Sequence, residues 1–354
     1  MKSLKKKFQA AILLKQNKPL LVDEVYFSGK LLDGQVFVKI NYSGVCGSQL
    51  GEIQGIKGKD KYLPHLLGHE GVGEVLEINQ KITKVKRGDK VLLHWMPSNG
   101  LSSLLPNYYW KEKKINAGSL TTFNTYAVVS ENRLSKLPKN IRNEKEILML
   151  GCTTSTAIGA VKKLTDFKKG DSVAVSGCGA IGMSIIKICK MHKAKNIIAI
   201  DINEKKLRLA KKLGATFCIN SKNSNFKNKI NYNFREGINH FFECTGNVKI
   251  ISEAYECLSK RNGREILIGV PKFKKKASFY TLDLHLGKKL IGCKGGNFDP
   301  DQDLHRYIKI INKKEYSAKQ HITQEADLKD INDVFSDMKK NLIVGKCILN
   351  LTKD

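Results

Sequence analysis

The sequence is short of proline and has no paired cysteines. Its 354 residues include 7 Pro and 29 Gly, which excludes a collagen-like or proline-rich chain. Nine cysteines stand at positions 46, 152, 178, 189, 218, 244, 257, 293 and 347, and none forms a CxxC pair. An odd count at irregular spacing argues against a disulfide scaffold and for thiols in a reduced compartment, as core residues, metal ligands or catalysts. No apolar run approaches the roughly 18–20 residues that a membrane-spanning helix needs. The basic start at 1–7 is followed by an apolar stretch, 10–14, that Lys15 cuts short. A secretory signal needs about 7–15 apolar residues there, so the expected location is the cytoplasm. Acid is also scarce. Lys plus Arg number 62 against 33 Asp plus Glu, a net charge of +29 with His neutral. The excess is spread along the chain, and its runs at 5–7, 111–114 and 272–276 read as solvated surface. Dispersed charge of this kind serves solubility and argues no specific nucleic-acid partner.

What is present is enough apolar sequence, 41%, to bury a core over about two domains. Up to about residue 150 the chain carries short β-like segments at 8–14, 35–42, 71–78, 90–94 and 125–129, punctuated by Gly, Asp and Asn. From about Thr154 the rhythm changes. Strand-like runs at 172–176, 196–200, 218–220, 240–244 and 265–270 alternate with helical patterns at 182–192 and 204–213. Such alternation predicts a doubly wound parallel sheet, an α/β fold. The stretch 95–123, with Trp95, Tyr108, Tyr109 and Trp110, reads as a long loop or lobe.

After the run 172–176 comes Gly177-Cys178-Gly179-Ala180-Ile181-Gly182, a GxGxxG turn set between a strand and a helix. Gly177 permits the tight turn, Gly179 lets backbone approach a pyrophosphate, and Gly182 lets the helix pack on the strand. The helix N-terminus then offers free N–H groups to phosphate. Asp201 lies 19 residues beyond Gly182, at the end of the next strand, where an acid meets ribose hydroxyls. A carboxylate there repels a 2′-phosphate and favours NAD(H) over NADP(H), and Lys205 and Lys206 nearby weaken that preference.

Three further stretches carry metal-ligand chemistry: Gly44-Val45-Cys46-Gly47-Ser48-Gln49, Gly68-His69-Glu70-Gly71 and Gly151-Cys152-Thr153. Thiolate, imidazole and carboxylate suit zinc. Taken singly, each Cys reads more readily as core and His69 as a hydrogen-bonded polar residue, and spacing does not unite positions 46, 69 and 152.

Together these stretches resemble the zinc-containing medium-chain dehydrogenase/reductase superfamily, the relatives of alcohol and polyol dehydrogenases, over nearly the whole chain. The 25 residues from Cys152 to Gly177, and the stretches Phe242-Glu243-Cys244-Thr245-Gly246-Asn247 and Leu267-Ile268-Gly269-Val270-Pro271, belong to the same likeness. The resemblance implies a GroES-like, β-rich catalytic domain of residues 1–153 and 292–354. It implies a Rossmann cofactor domain of 154–291 and an active cleft between the two. It implies Cys46, His69 and Cys152 as ligands of one catalytic zinc, with Glu70 behind the metal as an alternate ligand. Ser48 would take the substrate proton. Thr156, Thr245, Ile268 and Val270 would lie at the nicotinamide, Lys206 at the ribose and Lys346 at the pyrophosphate. It further implies reversible oxidation of an alcohol, polyol or sugar-like substrate with NAD(H), in a homodimer or homotetramer. A zinc-free quinone- or enoyl-type reductase, or a non-catalytic binding protein that keeps the fold, are the alternatives.

The departures are as informative. The lobe of four closely spaced Cys that holds a structural zinc in relatives is absent, and 95–123 contains no Cys. Position 49 is Gln, where relatives usually place an Asp against the ligand histidine. An uncharged partner should make His69 a weaker donor. Position 51 is Gly, where some relatives carry a proton-relaying His. His94 is read first as an ordinary strand-end histidine and second as a substitute relay or substrate contact.

Overall fold

A computed structural model describes residues 4–141 and 143–353. The chain divides into two compact units, Met1–Cys152 with Asp299–Asp354, and Thr153–Phe298. The sequence reading set these boundaries one residue later at the first junction and seven earlier at the second.

The first unit is built on antiparallel strands. Leu4–Leu13 pairs with Leu21–Gly29 in unbroken register from Leu4↔Gly29 to Ile12↔Leu21. They belong to a five-stranded sheet in the order His65–Leu66, Leu4–Leu13, Leu21–Gly29, Tyr108–Trp110, Lys113–Ile115. The last two strands give regular structure to the stretch 95–123, read from the sequence as a long loop or lobe. They form a hairpin whose two turn residues, Lys111 and Glu112, both take positive φ (46° and 63°), as the tightest hairpin turns require.

A second sheet centres on Gln35–Gly44, which pairs with Gly71–Ile78, Tyr126–Ser130 and Lys346–Asn350. Alternation along this strand serves two cores. Val36, Val38 and Ile40 pack in a cluster with Ile331, Val334 and Phe335, while Phe37 packs in another with Phe8, Phe27 and Tyr108.

The second unit holds six parallel strands in the order Phe217–Asn220, Asn196–Asp201, Ser172–Ser176, His240–Glu243, Arg264–Leu267, Lys289–Gly292. Numbered along the chain this is 3-2-1-4-5-6, the Rossmann order. Strands buried on both faces read as apolar runs, and Ser172–Ser176 and Asn196–Asp201 do. Helix Glu204–Leu213 starts where the Asn203 side chain accepts the Lys205 and Lys206 N–H groups, and stops at Gly214 with φ 124°. No helix among the described residues is long and apolar enough to cross a membrane.

Candidate metal centre and cofactor site

Cys46 sits just past the central strand Gln35–Gly44, immediately before helix Gly47–Ile53. His69 and Glu70 immediately precede Gly71–Ile78, which pairs with that same strand from Ser43↔Gly71 onward. The register therefore brings positions 46 and 69 together. Cys152 follows the turn Met149–Gly151, and the Gly151 carbonyl accepts the Trp95 N–H at 3.4 Å. The candidate ligand atoms of Cys46, His69 and Cys152 all lie within 4.8 Å of one another.

The electrostatics suit a cation. A hydrogen bond from Cys152 holds the Cys46 thiol well below its ordinary pKa, helped by His69 and by the Lys346 charge. The same bond, with burial, pushes Cys152 up. Burial works against the charged form of His69, but the bond to Cys46 and the charges of Cys46 and Glu70 outweigh it and raise its pKa.

Glu70 is fully buried and forms an ion pair with the buried Lys346. Its side chain lies between two glycines. A Cβ on Gly44 would stand 2.7 Å from the Glu70 carboxyl carbon, and one on Gly151 would stand 2.8 Å from its Cβ. Ser48 lies on the same helix as Gln49, and its Oγ is buried with no hydrogen-bond partner. Gln49, 1% exposed, directs Nε2 to His69 Nδ1 and accepts the Cys46 N–H on Oε1 at 3.1 Å.

These residues fit zinc. Ligand atoms of a tetrahedral S₂N site lie about 3.4–3.8 Å apart, within the spread seen here. Two thiolates balance the dication, Glu70 and Lys346 balance each other, and the orphaned Ser48 hydroxyl awaits a partner.

In the second unit, loops at the C-terminal ends of the parallel strands form the other site. Gly177 takes φ 85°, and a Cβ on it would meet Thr245 Cγ2 at 2.9 Å. A Cβ on Gly179 would meet nothing within 4 Å, so the backbone there is open to a bulky anion. Ala180 and Ile181 open helix Ala180–Met191, and Gly182 lies against the strand at Val175. Asp201 accepts the Cys178 N–H at 2.8 Å and the Asn203 N–H at 2.9 Å, which ties the glycine turn to the second strand. Glu243, fully buried at the end of its strand, gathers the remaining loops. Its side chain accepts the Thr245 N–H (2.7 Å), the Thr245 hydroxyl and the Gly246 N–H (2.9 Å). Its carbonyl accepts the N–H groups of Ile268 and Gly269. These loops form a cradle fit for a dinucleotide.

Residues 32–139 match the family described as alcohol dehydrogenase GroES-like domain, and residues 180–313 match zinc-binding dehydrogenase. An S-(hydroxymethyl)glutathione dehydrogenase from a Synechocystis species is 31% identical, covering 93% of this chain and 96% of its own. One from Escherichia coli is 30% identical over the same shares. The chain belongs to the zinc-type medium-chain alcohol dehydrogenase superfamily. Among solved structures, benzyl alcohol dehydrogenase from Acinetobacter calcoaceticus aligns with a TM-score of 0.86 at 26% identity, over 98% of this chain and 99% of that one. The alcohol dehydrogenase of Aeropyrum pernix aligns at 0.79 and 27%, over 97% and 99%. This alcohol dehydrogenase relative thus has the expected GroES-like and Rossmann-type domains. Its activity class is zinc-dependent oxidoreduction of the alcohol dehydrogenase type, with a nicotinamide cofactor.

Several expectations about individual residues change. The resemblance set Lys346 at the pyrophosphate, but the structure gives its ammonium to Glu70, in a pair that is 1% and 0% exposed. His94 is a core histidine. It is fully buried, bonded to the Met96 carbonyl (2.7 Å) and to Ser135 Oγ (3.0 Å), and burial lowers its pKa to about 4. Tyr108, Tyr109 and Trp110 belong to the hairpin. Tyr108 accepts the Val128 N–H, Tyr109 stacks on Tyr26, and Trp110 donates to Asp23. At position 51, a Cβ would meet the Ile56 side chain at 2.7 Å, so an apolar group stands where a relaying side chain would project. Thr156 is buried in helix Thr153–Lys162, Lys206 is half-buried and its charge acts on Cys178, Ile268 is half-buried, and Val270 is 50% exposed. Glu243 was missed, although an acid closing the apolar run His240–Glu243 was a readable signal.

Proposed function

We propose that the chain interconverts a primary alcohol and its aldehyde with NAD(H), using one zinc per chain. The observation that carries this reading is the convergence of Cys46, His69 and Cys152 within 4.8 Å, with the Ser48 hydroxyl, two residues along from Cys46, buried and without a hydrogen-bond partner. It is the one metal-ligand cluster among the described residues. Zinc held there supplies Lewis acidity to the substrate oxygen, and a nicotinamide held by the second unit supplies the hydride acceptor.

The protein's own residues do the rest. Ser48 Oγ accepts the substrate's hydroxyl proton and hands it on. Gly51 offers no side chain to relay that proton, and the Ile56 side chain lies where one would project. The Glu70–Lys346 pair keeps the neighbourhood neutral. The backbone at Gly179 receives the pyrophosphate, and the remaining lone pairs of Asp201 accept the ribose hydroxyls and disfavour a 2′-phosphate. Thr156, Thr245, Ile268 and Val270 take the nicotinamide end, and Lys206 the ribose.

The substrates named for two relatives, S-(hydroxymethyl)glutathione and benzyl alcohol, share a –CH₂OH group, which supports a primary alcohol. Tyr108, Tyr109 and Trp110 are taken up by packing in the hairpin, so these three rings carry no argument for a sugar-like substrate. All nine cysteines are free thiols, which supports a reducing compartment such as the cytoplasm. Edge strand Lys289–Gly292, preceded by exposed Tyr280, Leu282, Leu284 and Leu286, supports a homo-oligomer.

A screen of primary alcohols with NAD and NADP, run on the natural chain and Ser48→Ala, tests the reading. The natural chain should reduce NAD in preference to NADP. Ser48→Ala should lose about 10²–10⁴-fold in kcat while keeping zinc and NADH. An unchanged kcat in Ser48→Ala would remove Ser48 from the chemistry.

A further inference from the structure

Gln49 touches two groups whose polarities constrain each other. Its Oε1 accepts the Cys46 N–H at 3.1 Å, and its Nε2 meets His69 Nδ1. A backbone N–H only donates, so the arm facing it is the amide oxygen. The other arm is then the amide nitrogen, which donates and does not accept. His69 Nδ1 must therefore be the accepting nitrogen. In a neutral imidazole that puts the ring proton on Nε2. With Nδ1 against the Gln49 amide, Nε2 is the nitrogen left for the cluster in which the ligand atoms of Cys46, His69 and Cys152 converge within 4.8 Å. A nitrogen that carries a proton has no lone pair for a metal. Gln49 is 1% exposed, so solvent does not relieve the arrangement.

We infer that Gln49 holds His69 in the tautomer that turns its protonated nitrogen toward the thiols, so that metal loading requires the Gln49 amide to turn over. The inference rests on the zinc reading above. On loading, the proton leaves Nε2 and one is taken up at Nδ1, and the ring stays neutral. The turned amide then accepts from Nδ1–H through its oxygen. Its nitrogen now faces the Cys46 N–H, donor against donor, and that bond is lost. Each loading event exchanges one hydrogen bond for another and leaves a backbone donor at the helix N-terminus without its acceptor. Gln49 is thus a positioning residue that makes the metal more exchangeable than its three ligands alone would.

A glutamate at position 49 has the same length and two accepting oxygens. One can take the Cys46 N–H and the other His69 Nδ1–H, which matches the metal-competent tautomer with nothing lost. Substituted outer partners of a ligand histidine change metal affinity about 10–100-fold. In competition with a chelating dye, full-length Gln49→Glu should hold zinc at least about tenfold more tightly than the natural chain. Nitrogen-15 NMR of the metal-free natural chain should show His69 protonated on Nε2, and the zinc-loaded chain should show the proton on Nδ1. The NMR measurement on the natural chain stands even if Gln49→Glu folds poorly. Zinc affinities within twofold of each other, or a metal-free His69 protonated on Nδ1, would overturn the inference and leave the zinc reading intact. Failure of both proteins to bind zinc would overturn both.

Discussion

Lys346 and Glu70 stand 276 residues apart in sequence and form a fully buried ion pair beside Cys46 and Cys152. Strand register brings them together. Lys346 opens Lys346–Asn350, which pairs with the central strand at Ile348↔Gly44, and the Cys347 carbonyl accepts the Val45 N–H one residue before Cys46. The ammonium's charged form is penalised by burial but sustained by Glu70 and by Cys46, and its pKa is raised.

A buried pair is costly to break from one side. Lys346→Met leaves the Glu70 carboxylate without this cation, at about 3–5 kcal/mol. Glu70→Gln has the same kind of effect in reverse. The double variant should lose less than the sum of the singles, by about 1–3 kcal/mol. Denaturant unfolding of zinc-stripped protein measures all three. Strictly additive losses would mean that the two residues do not act as a pair.

Gly151 tests how tightly the metal centre is packed. A Cβ there would meet the Glu70 Cβ at 2.8 Å and its Cα at 3.2 Å, and neither is the loose end of a side chain. Gly151→Ala should cost about 1–3 kcal/mol of overpacking and displace the adjoining Cys152. Zinc affinity should fall tenfold or more, while NADH binding in the second unit stays within twofold. A variant that keeps its zinc would show that the centre has room to spare.

Glu265 predicts a pH dependence. It is fully buried on a central strand, neither carboxyl oxygen has a partner, and burial, with the Glu243 charge adding to it, raises its pKa to about 9. In the unfolded chain it titrates near 4.3. Between those values the folded state holds a proton that the unfolded state has released. Stability is therefore lost as pH rises through this window. At pH 7 the loss is on the order of 4 kcal/mol. Glu265→Gln should melt close to the natural chain near pH 5 and above it at pH 8.5. A melting difference that does not change with pH would contradict the assignment.

The dinucleotide turn was readable because its parts are local. Gly177, Gly179, Gly182 and Asp201 fall within one strand–helix–strand unit, and backbone geometry dictates each. The metal centre was readable only through resemblance, since Cys46, His69 and Cys152 come from separate segments that sheet register unites. The Lys346–Glu70 pair was out of reach for the same reason, because no sequence spacing encodes which strand lies beside Gln35–Gly44. The hairpin at Tyr108–Ile115 passed for a loop because each strand has three residues and its turn is all charge. Gln49 was visible as a departure, but its consequence for His69 needed the Cys46 N–H to reveal which arm of the amide faces the ring.

The central claim is that Cys46, His69 and Cys152 hold a zinc that the cofactor unit does not need. The most direct test is zinc content per chain, by elemental analysis of protein purified without chelator, with an NADH fluorescence titration of the same sample. The account predicts one zinc per chain in the natural protein and almost none in Cys46→Ala, with both binding NADH within about twofold. Undiminished zinc in Cys46→Ala, or a natural chain that binds NADH and never zinc, would contradict it.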